Sequence, residues 1–131
     1  MIDITLPGTG GMQPLPGRWL TCCFIELAGR ALLIDCGEGT QIALQQAGCK
    51  LSRIDAICIT HYHADHVAGL PGLLLTLGNC AKTTPLHIVG PKGLHAVLRG
   101  LLVLCPHCPT RSISQSCRRT GPPSFRFAGL R

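Results

Sequence analysis

The stretch that decides the fold is Ile54-Asp55-Ala56-Ile57-Cys58-Ile59-Thr60-His61-Tyr62-His63-Ala64-Asp65-His66. Its apolar first part, Ile54 to Thr60, predicts a buried strand, and its last part is a polar loop at the carboxyl end of that strand. Three imidazoles and one carboxylate in so short a loop indicate a metal site, because nitrogen and oxygen donors are the ligands of catalytic zinc. His61 and His63 alternate to one side of an extended backbone, so both rings can reach one ion. Asp65 and His66 follow where the chain turns, and they predict a second ion close by.

The elements around this loop predict an α/β domain. Two strands flank the turn Ala28-Gly29-Arg30 as a hairpin, and later strands alternate with helices, which is typical of a layered α/β architecture. The predicted strands are Ile2–Leu6, Trp19–Leu27, Ala31–Asp35, Ile54–Thr60 and Pro85–Val89. The predicted helices run from Thr40 to Gly48, from Val67 to Leu77 and from Gly93 to about Leu104.

The length of the chain, 131 residues, is that of one domain with a core of its own. Its first residues lack the basic start and the apolar core of a signal peptide, and no apolar run reaches the roughly 18 residues that a membrane span needs. We therefore expect a cytoplasmic protein with no membrane partner.

The positive charge lies almost entirely in the last part of the chain. Residues 105–131 hold five arginines and no acid, a charge of +5, whereas residues 1–104 hold seven basic and six acidic residues, a charge of +1. The net charge of +6 is therefore no argument for nucleic-acid binding by the folded part. We expect a domain at residues 1–104 and a Pro- and Arg-rich tail at residues 105–131 that is disordered or loosely attached.

The nine cysteines are expected to be reduced thiols, because the chain lacks a signal peptide. Those in apolar strand-like runs are predicted to be small core residues: Cys22, Cys23, Cys36 and Cys58. A single CxxC pair, Cys105 and Cys108, is weak support for a structural zinc site.

The loop has the HxHxDH form of the metallo-β-lactamase superfamily, and within that superfamily the chain resembles the ribonuclease Z family. Three further stretches carry this resemblance: Leu6-Pro7-Gly8-Thr9-Gly10-Gly11, Leu33-Ile34-Asp35-Cys36-Gly37-Glu38-Gly39-Thr40-Gln41, and Pro85 to Leu94. The second is the most discriminating, since many branches of the superfamily share only HxHxDH. The resemblance covers residues 1–104 and implies a metallo-β-lactamase fold, an αββα sandwich of which this chain holds only the N-terminal half.

The resemblance implies a zinc-dependent endoribonuclease that hydrolyses a phosphodiester to remove the 3′ trailer of precursor tRNA. In the family, the positions of His61 and His63 bind one zinc ion and those of Asp65 and His66 bind the other, with manganese as the alternative metal. A catalytic role as general base or proton shuttle is implied for Asp65. Two such ions deprotonate a water that attacks phosphorus in line. Precursor tRNA is the implied partner, and family members act as homodimers.

Asp35 ends a predicted strand and is expected to orient a ligand histidine through a hydrogen bond. A plain helix N-cap or turn role is the alternative for this residue.

The resemblance also marks what is missing. Family members have a second half that supplies further ligands for both ions, whereas only two ligands for each ion are present here, and ligands act together as a chelate. Because the composition changes abruptly near residue 105, we hypothesise that the chain is the N-terminal half of such an enzyme, cut short by a frameshift or early stop and incomplete as a catalyst.

Two other functions stay open from the sequence. One is another metallo-β-lactamase-fold hydrolase, such as an arylsulfatase, a phosphodiesterase or a lactonase. The other is a non-catalytic metal-binding fragment that pairs with a separate chain.

Overall fold

A computed structural model of the chain describes residues 1–80, 82, 84–105 and 112–116, the last of these by their backbone. Within these residues one sheet holds six strands in chain order: β1 Ile2–Gly8, β2 Cys22–Leu27, β3 Arg30–Ile34, β4 Ile54–Cys58, β5 Leu86–Gly90 and β6 Ser112–Ser116. The first three strands are antiparallel, and β3 to β6 are parallel.

Helices connect the parallel strands: α1 Thr40–Gln46, α2 Ala64–Val67, α3 Leu70–Asn79 and α4 Leu94–Leu101. Short 3-10 turns lie at Leu51–Arg53 and Leu102–Leu104. In the hairpin between β2 and β3, Ala28 and Gly29 both have positive φ, 52° and 77°, as a type I′ turn requires. None of the described helices is long and apolar enough to cross a bilayer.

The core lies between one face of the sheet and the helices. A row of buried side chains crosses that face from strand to strand in register, namely Phe24, Leu33, Ile57 and Ile88. Leucines of α1, α3 and α4 pack against this row. Alternate residues of β2 and β3 are therefore buried against the helices, and the residues between them lie on the opposite face of the sheet.

The other face of the sheet is apolar as well, and part of it is exposed. Ile4, Ile25 and Leu32 are paired in register on that face, and Ile4 is 65% exposed. Its neighbours along β1, Ile2 and Leu6, are 60% and 61% exposed. We call Ile2, Ile4 and Leu6 the β1 apolar row.

The predicted α/β class is confirmed. The differences lie at the ends of elements, in the presence of two helices, α2 and α3, where one was predicted, and in one additional strand, β6. β1 continues to Gly8, with an irregularity in register between Thr5 and Gly8. The chain is already helical at Ala64, before the predicted start at Val67, because the His66 N–H bonds to the His63 carbonyl at 3.0 Å.

Two of the cysteines predicted to lie in the core, Cys22 and Cys36, are buried. Cys23 and Cys58 are half-buried instead, because they lie on the opposite face of the sheet from Phe24.

The sequence predicts no strand in the basic tail, whereas the structure contains β6, paired with β5 from Leu86↔Ser112 to Gly90↔Ser116. Such pairing uses backbone atoms, so a segment without strand periodicity can cover an edge strand. Apart from Cys105 and β6, the tail lies outside the described residues, and so do His107 and Cys108. The division of the chain near residue 105 and the disorder of the tail stay predictions.

Candidate metal centre

Three segments of the chain meet at one edge of the sheet, where the parallel strands end. Asp35 follows β3, the loop from His61 to His66 follows β4, and the turn of residues 91–93 follows β5. A hydrogen bond of 2.7 Å from Ile59 N–H to the Val89 carbonyl extends the pairing beyond β4. In α/β folds, this edge is where ligands bind.

Asp35 is 3% exposed and joins two of these segments. Its Oδ1 accepts the Thr60 backbone N–H at 2.8 Å, and its Oδ2 lies 2.8 Å from both Thr60 Oγ1 and His66 Nδ1. The structure thus brings Asp35 to a histidine of the loop, which is the contact expected of it. Asp35 does not cap α1, since the N-cap residue of that helix is Gly39 and no side chain caps it.

Asp65 lies in α2, and its carboxylate is held from the opposite side. Oδ2 accepts the Met12 backbone N–H at 2.9 Å and lies 3.5 Å from His66 Nε2. The Met12 hydrogen bond lowers the pKa of Asp65 below its ordinary value; desolvation opposes this, and the nearby His66 and His63 add to the lowering. The carboxylate is therefore ionised at neutral pH and faces Nε2 of His66.

The histidine rings of the loop lie close to one another. The ring centroids of His61 and His63 are 4.7 Å apart, and those of His61 and His66 are 4.0 Å apart. His61 and His66 are half-buried, whereas His63 is exposed. The four predicted ligands thus form one cluster at the end of β4.

Within the residues that the structure describes, no three or more His, Cys, Asp or Glu side chains are placed to hold one ion together. The sequence offers two donors for each ion, so a set of three was not expected from these residues. The types of donor fit a divalent ion, since imidazole and carboxylate suit zinc and manganese. The ligand roles of His61, His63, Asp65 and His66 stay predictions.

Close packing of the segment after β3 fixes the position of α2. The Cys36 N–H donates to the His66 carbonyl at 2.8 Å, and the Gly69 N–H donates to the Cys36 carbonyl at 2.9 Å. A Cβ atom on Gly37 would lie 2.3 Å from the Asp65 carbonyl oxygen, closer than real contacts allow. Only glycine therefore lets this segment approach α2.

Sequence reasoning missed two contributors to the site, Thr60 and Met12. Tyr62 is half-buried and packs against the core. The Tyr62 hydroxyl donates to the Pro91 carbonyl in the turn after β5, and desolvation raises the pKa of Tyr62, which keeps the phenol protonated as a donor. For Thr60, its place at the strand end directly before the loop was the available signal. No sequence pattern predicts the hydrogen bond between the Met12 backbone and Asp65.

The chain is similar to known proteins over most of its length. Residues 2–106 match the family model described as Anti-Pycsar protein Apyc1. Ribonuclease Z from Lachnospira eligens is 58% identical over 109 residues, which are 83% of this chain and 36% of that protein. Ribonuclease Z from Lachnoclostridium phytofermentans is 56% identical over the same length, with the same shares. The chain spans about a third of the length of these curated relatives.

Solved structures share the fold. The short form of human tRNase Z is 36% identical with a TM-score of 0.80, and the match covers 88% of this chain and 45% of that chain. The metallo-β-lactamase fold protein YhfI from Bacillus subtilis has a TM-score of 0.76 at 20% identity, and the match covers 95% of this chain and 48% of that chain. At this identity the similarity is evidence for a shared fold and for nothing further. The predicted resemblance to ribonuclease Z and the predicted metallo-β-lactamase fold are confirmed. The description of the matching family model was not anticipated.

Proposed function

The chain belongs to the family described as Anti-Pycsar protein Apyc1, and we propose that it forms the metal-binding part of a hydrolase of the ribonuclease Z type. The proposed reaction is hydrolysis of one phosphodiester in precursor tRNA, which removes the 3′ trailer. The observation that carries this proposal is the cluster of three histidines and Asp65 after β4, in which Asp35 binds His66 Nδ1 at 2.8 Å. The identity of 56–58% to ribonuclease Z relatives supports the substrate class.

His61 and His63 would hold one divalent ion, and Asp65 and His66 would hold the other. We propose zinc, with manganese as the alternative. When bound, such ions acidify a water molecule and neutralise charge on phosphate oxygens. A homodimer and a cytoplasmic location, both expected from the sequence, belong to this proposal.

Hydrogen bonds within the chain orient the predicted metal ligands His66 and Asp65. Asp35 accepts a hydrogen bond from His66 Nδ1, which leaves Nε2 as the lone-pair nitrogen that an ion requires. The Met12 N–H orients the Asp65 carboxylate toward that nitrogen and keeps it ionised. An ionised carboxylate suits Asp65 as an anionic ligand. Its role as general base or proton shuttle belongs to the same proposal.

The test is complementation of the chain with the rest of a relative. Catalytic zinc sites have three protein ligands and a water, and only two candidate ligands per ion are present here. We therefore expect the chain by itself to bind Zn²⁺ weakly and to leave precursor tRNA uncut. Mixed with the part of Lachnospira eligens ribonuclease Z outside the matched 109 residues, it should release the 3′ trailer, as measured on a gel with labelled RNA.

Variants of the chain make this test specific. His63→Ala and Asp65→Asn should each abolish the restored cleavage, whereas Asp3→Asn, an exposed acid at the far end of β1, should not. Cleavage by the chain without its complement, lost in His63→Ala, would contradict the incomplete site. Cleavage of a bis-aryl phosphate without processing of precursor tRNA would favour another metallo-β-lactamase-fold hydrolase. If complementation fails and His63→Ala leaves Zn²⁺ binding unchanged, the proposed function is wrong.

A further inference from the structure

A chain of hydrogen bonds links Asp35 to two histidines of the candidate centre. Asp35 contacts His66 directly, through Oδ2 and Nδ1 at 2.8 Å. It contacts His61 through Thr60, whose Oγ1 lies 2.8 Å from Asp35 Oδ2 and 3.0 Å from His61 Nδ1. The Thr60 backbone N–H also donates to Asp35 Oδ1 at 2.8 Å, so both groups of Thr60 are held against the carboxylate.

The direction of each bond follows from what each group can donate. An ionised carboxylate only accepts, whereas a hydroxyl has one hydrogen to donate and two lone pairs that accept. Thr60 Oγ1 lies 3.0 Å and 2.8 Å from the two oxygens of Asp35, so its hydrogen must point at the carboxylate, because facing lone pairs beside a buried charge would repel. The Thr60 oxygen then accepts from His61, which places the proton of that ring on Nδ1.

We propose that Thr60 is a positioning residue that sets the tautomer of His61. Because its hydroxyl donates its hydrogen to Asp35, its oxygen accepts a hydrogen bond from His61 Nδ1. As a result, His61 carries its proton on Nδ1 and presents an unprotonated Nε2, which is the nitrogen that a metal ion binds. His66 likewise carries a proton on Nδ1, against Asp35, and its Nε2 would be the ligand atom for an ion that lies between it and the Asp65 carboxylate. The purpose of this arrangement rests on the proposed metal function, but the tautomer is a property of the metal-free chain. Thr60 is an exposed residue, so its hydroxyl rather than its burial gives it this role.

The tautomers are measured directly by long-range ¹H–¹⁵N NMR of the full chain with ¹⁵N-labelled histidine. The spectra are recorded at about pH 8.5, above the range in which free imidazole titrates. In the unmodified chain we expect Nδ1–H for both His61 and His66. Thr60→Val removes the hydroxyl and keeps the shape, so His61 should change to the Nε2–H tautomer, which free imidazole side chains prefer. His66 should stay Nδ1–H, because Asp35 contacts it directly, and Thr60→Ser should restore the tautomer of His61.

A matched hydroxyl deletion elsewhere controls for loss of stability. Thr76 Oγ1 donates to the Gly72 carbonyl at 2.8 Å in α3, and Thr76→Val should leave both tautomers unchanged. The inference is overturned if His61 is Nε2–H in the unmodified chain, or if Thr60→Val leaves its tautomer as it was.

Binding of Co²⁺, followed by its visible absorption, separates this inference from the proposed function. Thr60→Val should weaken Co²⁺ binding about tenfold, the low end of what loss of an outer hydrogen-bonding partner costs, and Thr76→Val should not. If the unmodified chain shows the expected tautomers but complementation fails and His63→Ala leaves Zn²⁺ binding unchanged, the proposed function fails and the positioning by Thr60 stands. If Thr60→Val changes the tautomer and not the affinity, the tautomer does not serve metal binding.

Discussion

Asp35 is the residue on which the candidate centre depends most, because it is 3% exposed and its carboxylate accepts from both Thr60 and His66. Asn at this position keeps the size and tolerates the positive φ of 60°. Its amide nitrogen, however, would face a donor instead of accepting from it. We expect Asp35→Asn to lower the free energy of unfolding by about 2–3 kcal/mol, measured in urea. Asp3→Asn should change it by less than about 0.5 kcal/mol, and an equally small loss for Asp35→Asn would contradict the geometry.

The cysteines are expected to differ in reactivity because they differ in burial. Burial raises the pKa of Cys22 to about 11 and raises the pKa of Cys36 as well, so both stay thiols at neutral pH, whereas Cys80 is exposed. At pH 8 we expect a maleimide to label Cys80 within minutes and to leave Cys22 and Cys36 unlabelled until the chain is unfolded. Peptide mass mapping gives the order of labelling. Labelling of Cys36 in the folded chain at the rate of Cys80 would contradict its burial.

At the scale of elements, the contact between the segment after β3 and α2 decides where two of the predicted ligands lie. Gly37→Ala would place a Cβ 2.3 Å from the Asp65 carbonyl, so α2 must move or the segment must open. We expect a loss of about 1–3 kcal/mol in the free energy of unfolding, as for other overpacked positions. If the Gly37→Ala variant folds, the NMR signals of its His66 should be shifted from those of the unmodified chain.

Gly100 provides the matched control for that substitution. It lies in α4, and nothing stands within 4 Å of a Cβ built on it. Gly100→Ala should therefore raise the free energy of unfolding by about 0.5–1 kcal/mol, since alanine has the better helix propensity. If Gly37→Ala is as stable as Gly100→Ala, the packing of Gly37 against α2 is not as described.

At the scale of the whole molecule, the β1 apolar row gives the sheet an exposed hydrophobic surface opposite the helices. Such surfaces bind hydrophobic dyes and promote association. Ile4→Thr removes one 65% exposed side chain and keeps a residue that suits a strand. We expect lower fluorescence of the dye ANS and less concentration-dependent association in sedimentation velocity. Ile42→Thr, at a 40% exposed position of α1, should change neither, and equal effects of both substitutions would rule out a special role for the row.

Most strands and helices of the molecule could be predicted from local patterns in the sequence, whereas β6 could not. The buried strand β4, the hairpin at Ala28-Gly29 and the alternation of later strands with helices follow from local periodicity and turn residues, and the class was predicted from them. β6 was missed because its pairing to β5 uses backbone groups, which leave no periodic signal in side chains.

By itself, the sequence determined the chemistry available at the candidate centre, because the donors of the loop after β4 are neighbours along the chain. Only the tertiary structure decided how those donors are held. Asp35 meets His66 and Thr60, and Met12 meets Asp65, at the edge where strands and loops far apart in sequence come together. Such contacts depend on the parallel pairing of β3 with β4 and on the close approach at Gly37. Residue spacing carries no information about them until the sheet has formed.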